Sequence, residues 1–232
     1  MPSKNSRKIY SENSYYHAYN RGVEKRSIFQ DEQDYAVFLS YLKTYLLPKD
    51  TAGLMEIVAN LNSSYNEKQK ALALLKLNNF SNEITLLSYC LMPNHFHFLI
   101  KQKSGTAMDR FLNSLGTRYT MYFNRKYKRV GHLYQDVYKA VLVSSDEQLL
   151  HLTRYIHQNP SPSLATKGLA LRASLLKQPS SYPEYLQERN TKWIDIKTVL
   201  SYFSKNSPSL SYQSFVEQTD DDTFNNVYID LD

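Results

Sequence analysis

The segment that decides the fold runs from Ile84 to Lys101 and reads ITLLSYCLMPNHFHFLIK. Its first eight residues form a mostly apolar run, Met92–Asn94 is a break, and a second apolar run begins at His95. Two runs of this kind on either side of a short turn signal predict adjacent antiparallel strands. The core of the protein is therefore expected to contain this hairpin.

The rest of the chain adds a strand before the hairpin and alternating elements after it. Apolar spacing and turn residues predict, in chain order, a strand at 15–20, a helix at 31–48, the two hairpin strands, a helix at 107–127, a strand at 136–143 and a helix from Ser144 or Ser145 to Asn159. This order is that of the split βαβ, ferredoxin-like plan. We therefore predict an α+β fold in which an antiparallel sheet carries helices on one face.

Other segments are less regular. The sequence predicts an insertion or lengthened helical connection at 49–82, a loop at 161–183, a weaker helical region at 192–203 and a flexible acidic tail after Ser207. We expect one main domain at 1–186, which includes the insertion, and a helical C-terminal extension at 187–232.

Composition restricts the class of protein. The chain has 232 residues, of which 42% are hydrophobic, and its mean hydropathy is −0.53, which excludes general disorder and an integral membrane protein. It has no apolar run of 18 residues and no apolar leader at its start, so a cytoplasmic location is expected. The single cysteine, Cys90, excludes an internal disulfide, and no glycine-rich phosphate-binding motif occurs.

Charge favours a nucleic acid as the partner. The formal net charge is +6, and because six acidic residues and no basic ones follow Lys205, residues 1–205 carry +12. The chain also has 20 tyrosines, and tyrosines among lysines and arginines suit nucleic acid binding. The alternative is that the tyrosines only pack a half-buried sheet.

Two histidines stand at the start of the second hairpin strand. Side chains alternate along a strand, so His95 and His97 project on one side while Phe96 enters the core. Two adjacent imidazoles can bind a divalent ion and leave positions for an amide and for phosphate oxygens. The alternative is a pair of strand histidines that binds no metal.

The last predicted helix of the main domain carries a second polar group. His151, Tyr155 and Asn159 are spaced by four residues and share one face, while leucine and isoleucine side chains occupy another. A tyrosine here could attack phosphorus if a cation stabilised the phenolate. The alternative is a packed tyrosine followed by an asparagine cap.

Together these motifs resemble a known family. Residues 92–100 (MPNHFHFLI) look like the His-hydrophobic-His signature of single-tyrosine HUH transposases, and residues 154–160 (RYIHQNP) resemble their nucleophile helix. Three further segments match the REP-associated tyrosine transposase branch of the IS200-like superfamily, namely YNRG at 19–22, GHLYQ at 131–135 and SSY at 180–182. The resemblance covers roughly residues 15–186.

The resemblance implies an enzyme and a mechanism. Mg²⁺ or Mn²⁺ would be bound by His95, His97 and Asn159, although some members have glutamine at the last position. Tyr155 would be the nucleophile of a single-strand DNA endonuclease and strand transferase, which forms a 5′-phosphotyrosine and frees a 3′-OH. The implied substrate is single-stranded DNA, often beside a hairpin, and the implied assembly is a possible homodimer, with no membrane partner.

Candidate DNA contacts come mainly from a basic region. Residues 101–139 contain nine basic and two acidic residues. The predicted DNA-binding residues are Arg21, Arg110, Arg118, Tyr122, Arg125, Lys126, Lys128, Arg129 and Lys139. The alternative is a solvated helix face with the tyrosines in the core.

Three other readings of the function stay open. The protein could be a catalytically silent regulator that binds DNA hairpins, a nickase of the same chemical type, or a protein that binds RNA instead of DNA. Four other histidines are less favoured as metal ligands, namely His132, His151, His17 and His157.

Overall fold

A four-stranded antiparallel sheet organises the chain. The computed structural model describes residues 10–161, 168–204, 207 and 210–217. Its strands are β1 (Ser14–Arg21), β2 (Ile84–Met92), β3 (His95–Gln102) and β4 (Lys139–Val143), and their order in the sheet is β2-β3-β1-β4. All three neighbouring pairs are antiparallel. The predicted hairpin and the predicted α+β class are confirmed.

The helices in the described part of the chain are α1 (Glu32–Leu46), α2 (Thr51–Ala59), α3 (Tyr65–Lys76), α4 (Ala107–Lys126), α5 (Asp146–Gln158), α6 (Gly168–Lys177), α7 (Tyr182–Tyr185), α8 (Lys197–Leu200) and α9 (Tyr212–Glu217). Side-chain caps define where two of them begin. Asp31 accepts a hydrogen bond from Asp34 N at the start of α1, and Ser145 accepts one from Gln148 N at the start of α5.

Helices cover both faces of the sheet, so the prediction that they lie on one face is wrong. Phe98 belongs to the core cluster formed with α1 and α4, whereas Leu99 belongs to the cluster formed with α5, α6 and α9. Both side chains are fully buried. The physical reason is that Leu87, Cys90, Leu99 and Val143 form an apolar area on the second face, which also has to be covered.

The less regular segments differ in part from the predictions. Residues 49–82 contain the helical hairpin of α2 and α3, as the helical spacing suggested. The predicted loop at 161–183 contains α6, which buries Leu171 and Leu175 one helical turn apart, while residues 162–167 lie outside the described part. The proline- and serine-rich composition of the segment concealed this helix.

The C-terminal region packs on the sheet. Ile194 forms an isolated parallel bridge with Leu86, and α9 buries Tyr212 and Val216. Part of the segment predicted to be a flexible tail is therefore helical, and residues 218–232 lie outside the described part. The predicted boundary between residues 186 and 187 stays a prediction.

A buried carboxylate joins the beginning of α1 to the end of α4. Asp34 has no exposed surface, and Lys126 Nζ donates to its Oδ1 at 2.7 Å. The hydroxyl groups of Tyr122 and Tyr127 donate to the same carboxylate at 3.0 and 2.8 Å. Burial favours the neutral acid and raises the pKa of Asp34, but the bonds from Lys126, the Gln30 backbone and the two phenols outweigh it and lower the pKa below its usual range.

Substituting Asp34→Asn should destabilise the fold, because it leaves Lys126 with only the exposed Asp31 as counter-charge and puts a neutral amide among the donors that bind the carboxylate. We expect a loss of about 3 kcal/mol in the free energy of unfolding, measured by urea denaturation at neutral pH. The matched control is Glu32→Gln on the same turn of α1, whose side chain is exposed and which should change stability by less than about 0.5 kcal/mol.

The same comparison has a defined pH dependence. Because the folded pKa of Asp34 is lowered, its stabilising effect is complete above the unfolded pKa of about 3.9 and is lost as the pH falls through the folded pKa. The stability difference between the wild type and Asp34→Asn should therefore shrink below about pH 4. A difference that stays constant into strong acid would contradict the role of the carboxylate charge.

Candidate metal and nucleophile site

The two histidines of β3 project from the face of the sheet that α5 covers. The ring centroids of His95 and His97 are 4.9 Å apart, and the rings are nearly perpendicular. Phe96 points to the opposite face, where its ring lies 5.7 Å from that of Phe38 in α1. The alternation expected for a strand thus places two imidazoles side by side.

The orientation of His95 is set by the residue before it. His95 Nδ1 lies 2.6 Å from Asn94 Oδ1, while Asn94 Nδ2 donates to Lys25 O at 3.3 Å. Both ring nitrogens of His95 thus face amide oxygens, which only accept, so a neutral His95 donates to one of them and directs its lone pair at the other. The second of these oxygens, Asn159 Oδ1, lies 3.1 Å from His95 Nε2.

His97 is held deeper than His95. Its side chain is 1% exposed, and its Nδ1 lies 2.9 Å from His17 Nε2. Its other ring nitrogen, Nε2, is buried and has no hydrogen-bond partner among the described residues. An orphaned imidazole nitrogen in the interior is uncommon and points to a ligand.

All three histidines are neutral in the folded protein at neutral pH. Burial lowers the pKa of His97 well below its usual range, and the neighbouring His17 and His95 lower it further. Burial likewise lowers the pKa of His95 and lowers that of His17 to about 3. Metal ligation requires the neutral imidazole, so the site is electrostatically prepared for it.

Helix α5 brings a tyrosine and an amide to these histidines. The ring of Tyr155 is 5.5 Å from that of His97 and 5.9 Å from that of His17, with its edge toward both. Tyr155 is only partly buried, and Asn159 is the C-terminal cap residue of the helix. One chain therefore brings together the predicted nucleophile and the predicted ligands. His151 packs instead against Phe215, at 5.6 Å between ring centroids.

The arrangement fits a divalent cation. Two ligand atoms at right angles on an ion such as Mg²⁺ are about 3.0 Å apart, close to the 3.1 Å between His95 Nε2 and Asn159 Oδ1. Within the described residues no group of three His, Cys, Asp or Glu side chains could hold a metal. The Asn159 amide oxygen, 3.1 Å from His95 Nε2, is an oxygen donor beside the histidines, whereas His151 packs on Phe215.

Two of the predicted DNA-binding residues lie beside this site. In the pairing of β1 with β3, Arg21 stands opposite His95, and Tyr19 stands opposite His97. In the pairing of β1 with β4, Lys139 stands opposite Tyr19, and its Nζ is 6.0 Å from the tyrosine ring. Arg21 and Lys139 therefore place positive charge at the edges of the site.

The remaining predicted DNA-binding residues belong to α4 and the loop after it, on the other side of the sheet. Arg110 pairs with Glu83, Arg118 lies over the ring of Tyr41, and Arg129 donates to Asn124. Lys126 and Tyr122 bind the buried Asp34. Arg125 and Lys128 are exposed. The structure does not bring this group to the histidines.

The sequence analysis did not identify three residues that organise the site. His17 and Asn94 contact the two histidines directly. His157, which follows Tyr155 by two positions, is fully buried between Tyr212 OH at 2.7 Å and Ser181 Oγ at 2.8 Å. Alternation along β1 places His17 and Tyr19 on one face, but only the pairing of β1 with β3 shows that this face contains His97.

The site and the sheet define a class of protein in which a central strand presents paired histidines to a tyrosine on a covering helix. Residues 54–159, which include His95, His97, Tyr155 and Asn159, match the family described as "Transposase IS200 like". Over this segment, which is less than half of the chain, the sequence is similar to that family.

Comparison with solved structures gives a weaker similarity. A REP-associated tyrosine transposase bound to a REP hairpin is 12% identical, with a TM-score of 0.44 over 82% of this chain and 92% of that one. The search of curated proteins found no significant match. Within the described residues, no helix combines the length and the apolar character needed to cross a membrane.

Substituting Ser181→Ala should loosen the end of α5. The change removes a partner from the buried His157 Nε2 and from Tyr89 N, which donates to Ser181 Oγ at 2.9 Å. We expect a loss of about 2 kcal/mol in the free energy of unfolding, measured in urea. The control is Ser201→Ala, an exposed serine whose Oγ donates to Thr198 O and whose loss should have little effect. Equal effects of the two substitutions would contradict this role of Ser181.

Proposed function

We propose that the protein is a metal-dependent single-tyrosine transposase of the REP-associated branch, which cleaves and rejoins single-stranded DNA. The observation that carries the proposal is that Tyr155 lies beside His97, whose buried Nε2 has no protein partner. The convergence of His95 Nε2 and Asn159 Oδ1 adds two further ligand atoms. The sequence motifs at 19–22, 131–135 and 180–182 support the branch.

His95, His97 and Asn159 would hold the cation, Mg²⁺ or Mn²⁺. When bound, it would supply Lewis-acid polarisation of the scissile phosphate and stabilise the charge that develops on its oxygens, worth several kcal/mol. The neutral imidazoles and the neutral amide leave the net positive charge of the ion intact. Arg21 and Lys139, at the edges of the site, would add attraction for the phosphates on either side.

Tyr155 would perform the covalent step. Its phenolic oxygen would form a bond to phosphorus while the bond from phosphorus to the 3′ oxygen breaks, and the phenolic proton would be lost to solvent as the leaving oxygen gains one. The products are a 5′-phosphotyrosine and a free 3′-OH. Attack by another 3′-OH reverses the step, so the joining reaction needs no nucleotide cofactor.

The rest of the substrate would lie on the exposed cations. We propose that Arg125 and Lys128 contact DNA phosphates, with Arg110, Arg118 and Arg129 contributing from positions already in contact with protein groups. Lys126 and Tyr122 would contribute indirectly, because their hydrogen bonds to Asp34 hold the C-terminal end of α4 in place. A hairpin beside the cleavage site is inferred from the branch motifs. A cytoplasmic location and a homodimer remain expectations from the sequence.

Substituting Tyr155→Phe should abolish the covalent intermediate. The assay uses a hairpin-containing oligonucleotide labelled at its 3′ end, because the segment downstream of the cut stays attached to the protein. With Mn²⁺ present, the wild type should give a labelled protein band on a denaturing gel, and Tyr155→Phe should give none. The control is Tyr65→Phe, which removes an exposed hydroxyl on α3. An undiminished band in Tyr155→Phe would place the nucleophile elsewhere.

Substituting His97→Ala should separate cleavage from binding. We expect metal-stimulated cleavage to fall by about 100-fold or more, since loss of a ligand should exceed the 10–100-fold effect of losing a ligand's outer partner. DNA affinity, measured by fluorescence anisotropy, should change by less than about threefold because it comes from distributed phosphate contacts. His132→Ala, at an exposed histidine, is the control. Normal cleavage by His97→Ala would refute the metal site, and binding without cleavage by the wild type would favour a silent regulator.

A further inference from the structure

We propose that His17 is a positioning residue that selects the tautomer of His97. Its Nε2 would accept a hydrogen bond from the Nδ1–H group of His97. The lone pair of His97 would then be on Nε2, directed at the cation. The inference rests on the proposed metal site. It assigns a role to a residue that contacts neither the DNA nor the ion.

The sheet register brings the two histidines together. Tyr19 is opposite His97, and His17 is opposite Leu99, so His17 is the diagonal neighbour of His97 on the same face. Their rings have centroids 5.1 Å apart and planes within 24° of each other. The atoms that meet are His17 Nε2 and His97 Nδ1, at 2.9 Å. This distance is that of a hydrogen bond, which contains a single proton.

The position of that proton decides what His97 can do. If His17 Nε2 were the donor, a neutral His97 would carry its proton on Nε2, where it has no acceptor. A buried N–H without an acceptor costs about 1–3 kcal/mol, and a protonated nitrogen cannot bind a metal. If His97 Nδ1 is the donor, the orphaned Nε2 carries a lone pair instead. The environment of Nε2 therefore favours the tautomer of His97 that has its proton on Nδ1, from which His17 Nε2 can accept a hydrogen bond.

The neighbouring histidine has an acceptor oxygen at the corresponding ring atom. His95 Nδ1 is bound to Asn94 Oδ1, an atom of the turn between β2 and β3. His97 lies farther along the strand, where its neighbours are the strands on either side. Its side chain is 1% exposed and that of His17 is 2% exposed, so bulk water does not reach the pair. His17 thus takes the place that the turn amide has for His95.

The contact of His17 with Tyr155 guides the choice of substitutions. Because the two rings are 5.9 Å apart, removing the His17 side chain would also leave space beside the proposed nucleophile. His17→Phe keeps a ring in place but has no acceptor. His17→Gln replaces the ring nitrogen with an amide oxygen at a similar reach, and it should restore the function if accepting a proton is what matters.

The test measures Mn²⁺ affinity by calorimetry on the full chain, without DNA and without turnover. His17→Phe should weaken binding by about 10–100-fold, the usual effect of losing the outer partner of a ligating histidine, whereas His17→Gln should stay within about threefold of the wild type. The control is His132→Phe, which should leave the affinity unchanged. Wild-type affinity in His17→Phe, or an equal loss in His17→Gln, would overturn the proposal.

A second measurement does not depend on the folding of any His17 variant. Two-bond ¹H–¹⁵N spectra of the metal-free wild type report which ring nitrogen of each histidine carries the proton, and His97→Ala identifies the signals of His97. We expect the proton of His97 on Nδ1, and finding it on Nε2 would overturn the inference.

The metal-site proposal fails separately from this one. If His95→Ala and His97→Ala abolish Mn²⁺ binding while His17→Phe preserves it, the metal site stands and only the role of His17 is wrong. If the wild type binds no Mn²⁺ at all, both proposals are overturned.

Discussion

The antiparallel pairing of β1 with β3 is the constraint on which the rest of the site depends. It sets Arg21 opposite His95 and Tyr19 opposite His97, and it places His17 within hydrogen-bond distance of His97. Because side chains alternate with a period of two, a shift of one residue in this register would turn His17 toward α1 and α4. The relative positions of Arg21, His17 and the two histidines of β3 are therefore determined by one set of backbone hydrogen bonds.

The paired histidines form a site because helices cover both faces of the sheet. On one face, α1 and α4 bury Phe96 and Phe98 in a core of mainly apolar side chains. On the other face, the apolar side of α5 packs on Leu99, and its polar residues reach the same end of the sheet as the histidines. Burial of apolar side chains thus supplies the free energy that holds α5 on the sheet. The same docking places the polar residues of α5 beside the histidines without ordering a further segment of the backbone.

Local patterns made much of this predictable from the sequence. The hairpin, the shared face of His95 and His97, and the spacing of Tyr155 and Asn159 follow from periods of two and 3.6 residues. Other features depend on contacts between distant segments. These are the face on which α5 docks, the partner of His97 and the ion pair of Lys126. Lys126 seemed to be a surface cation, yet its partner Asp34 lies 92 residues earlier in the chain.

The buried His157 ties the C-terminal region to the helix that contains Tyr155. Its two ring nitrogens are held by Ser181 and by Tyr212, and Ser181 is in turn bound to the backbone of β2. These hydrogen bonds attach the C-terminal end of α5, the helix that contains Tyr155, to the sheet of the same chain. Under the proposed function, the single chain would therefore contain Tyr155 and its histidines together, and cleavage would not require a side chain from a second copy.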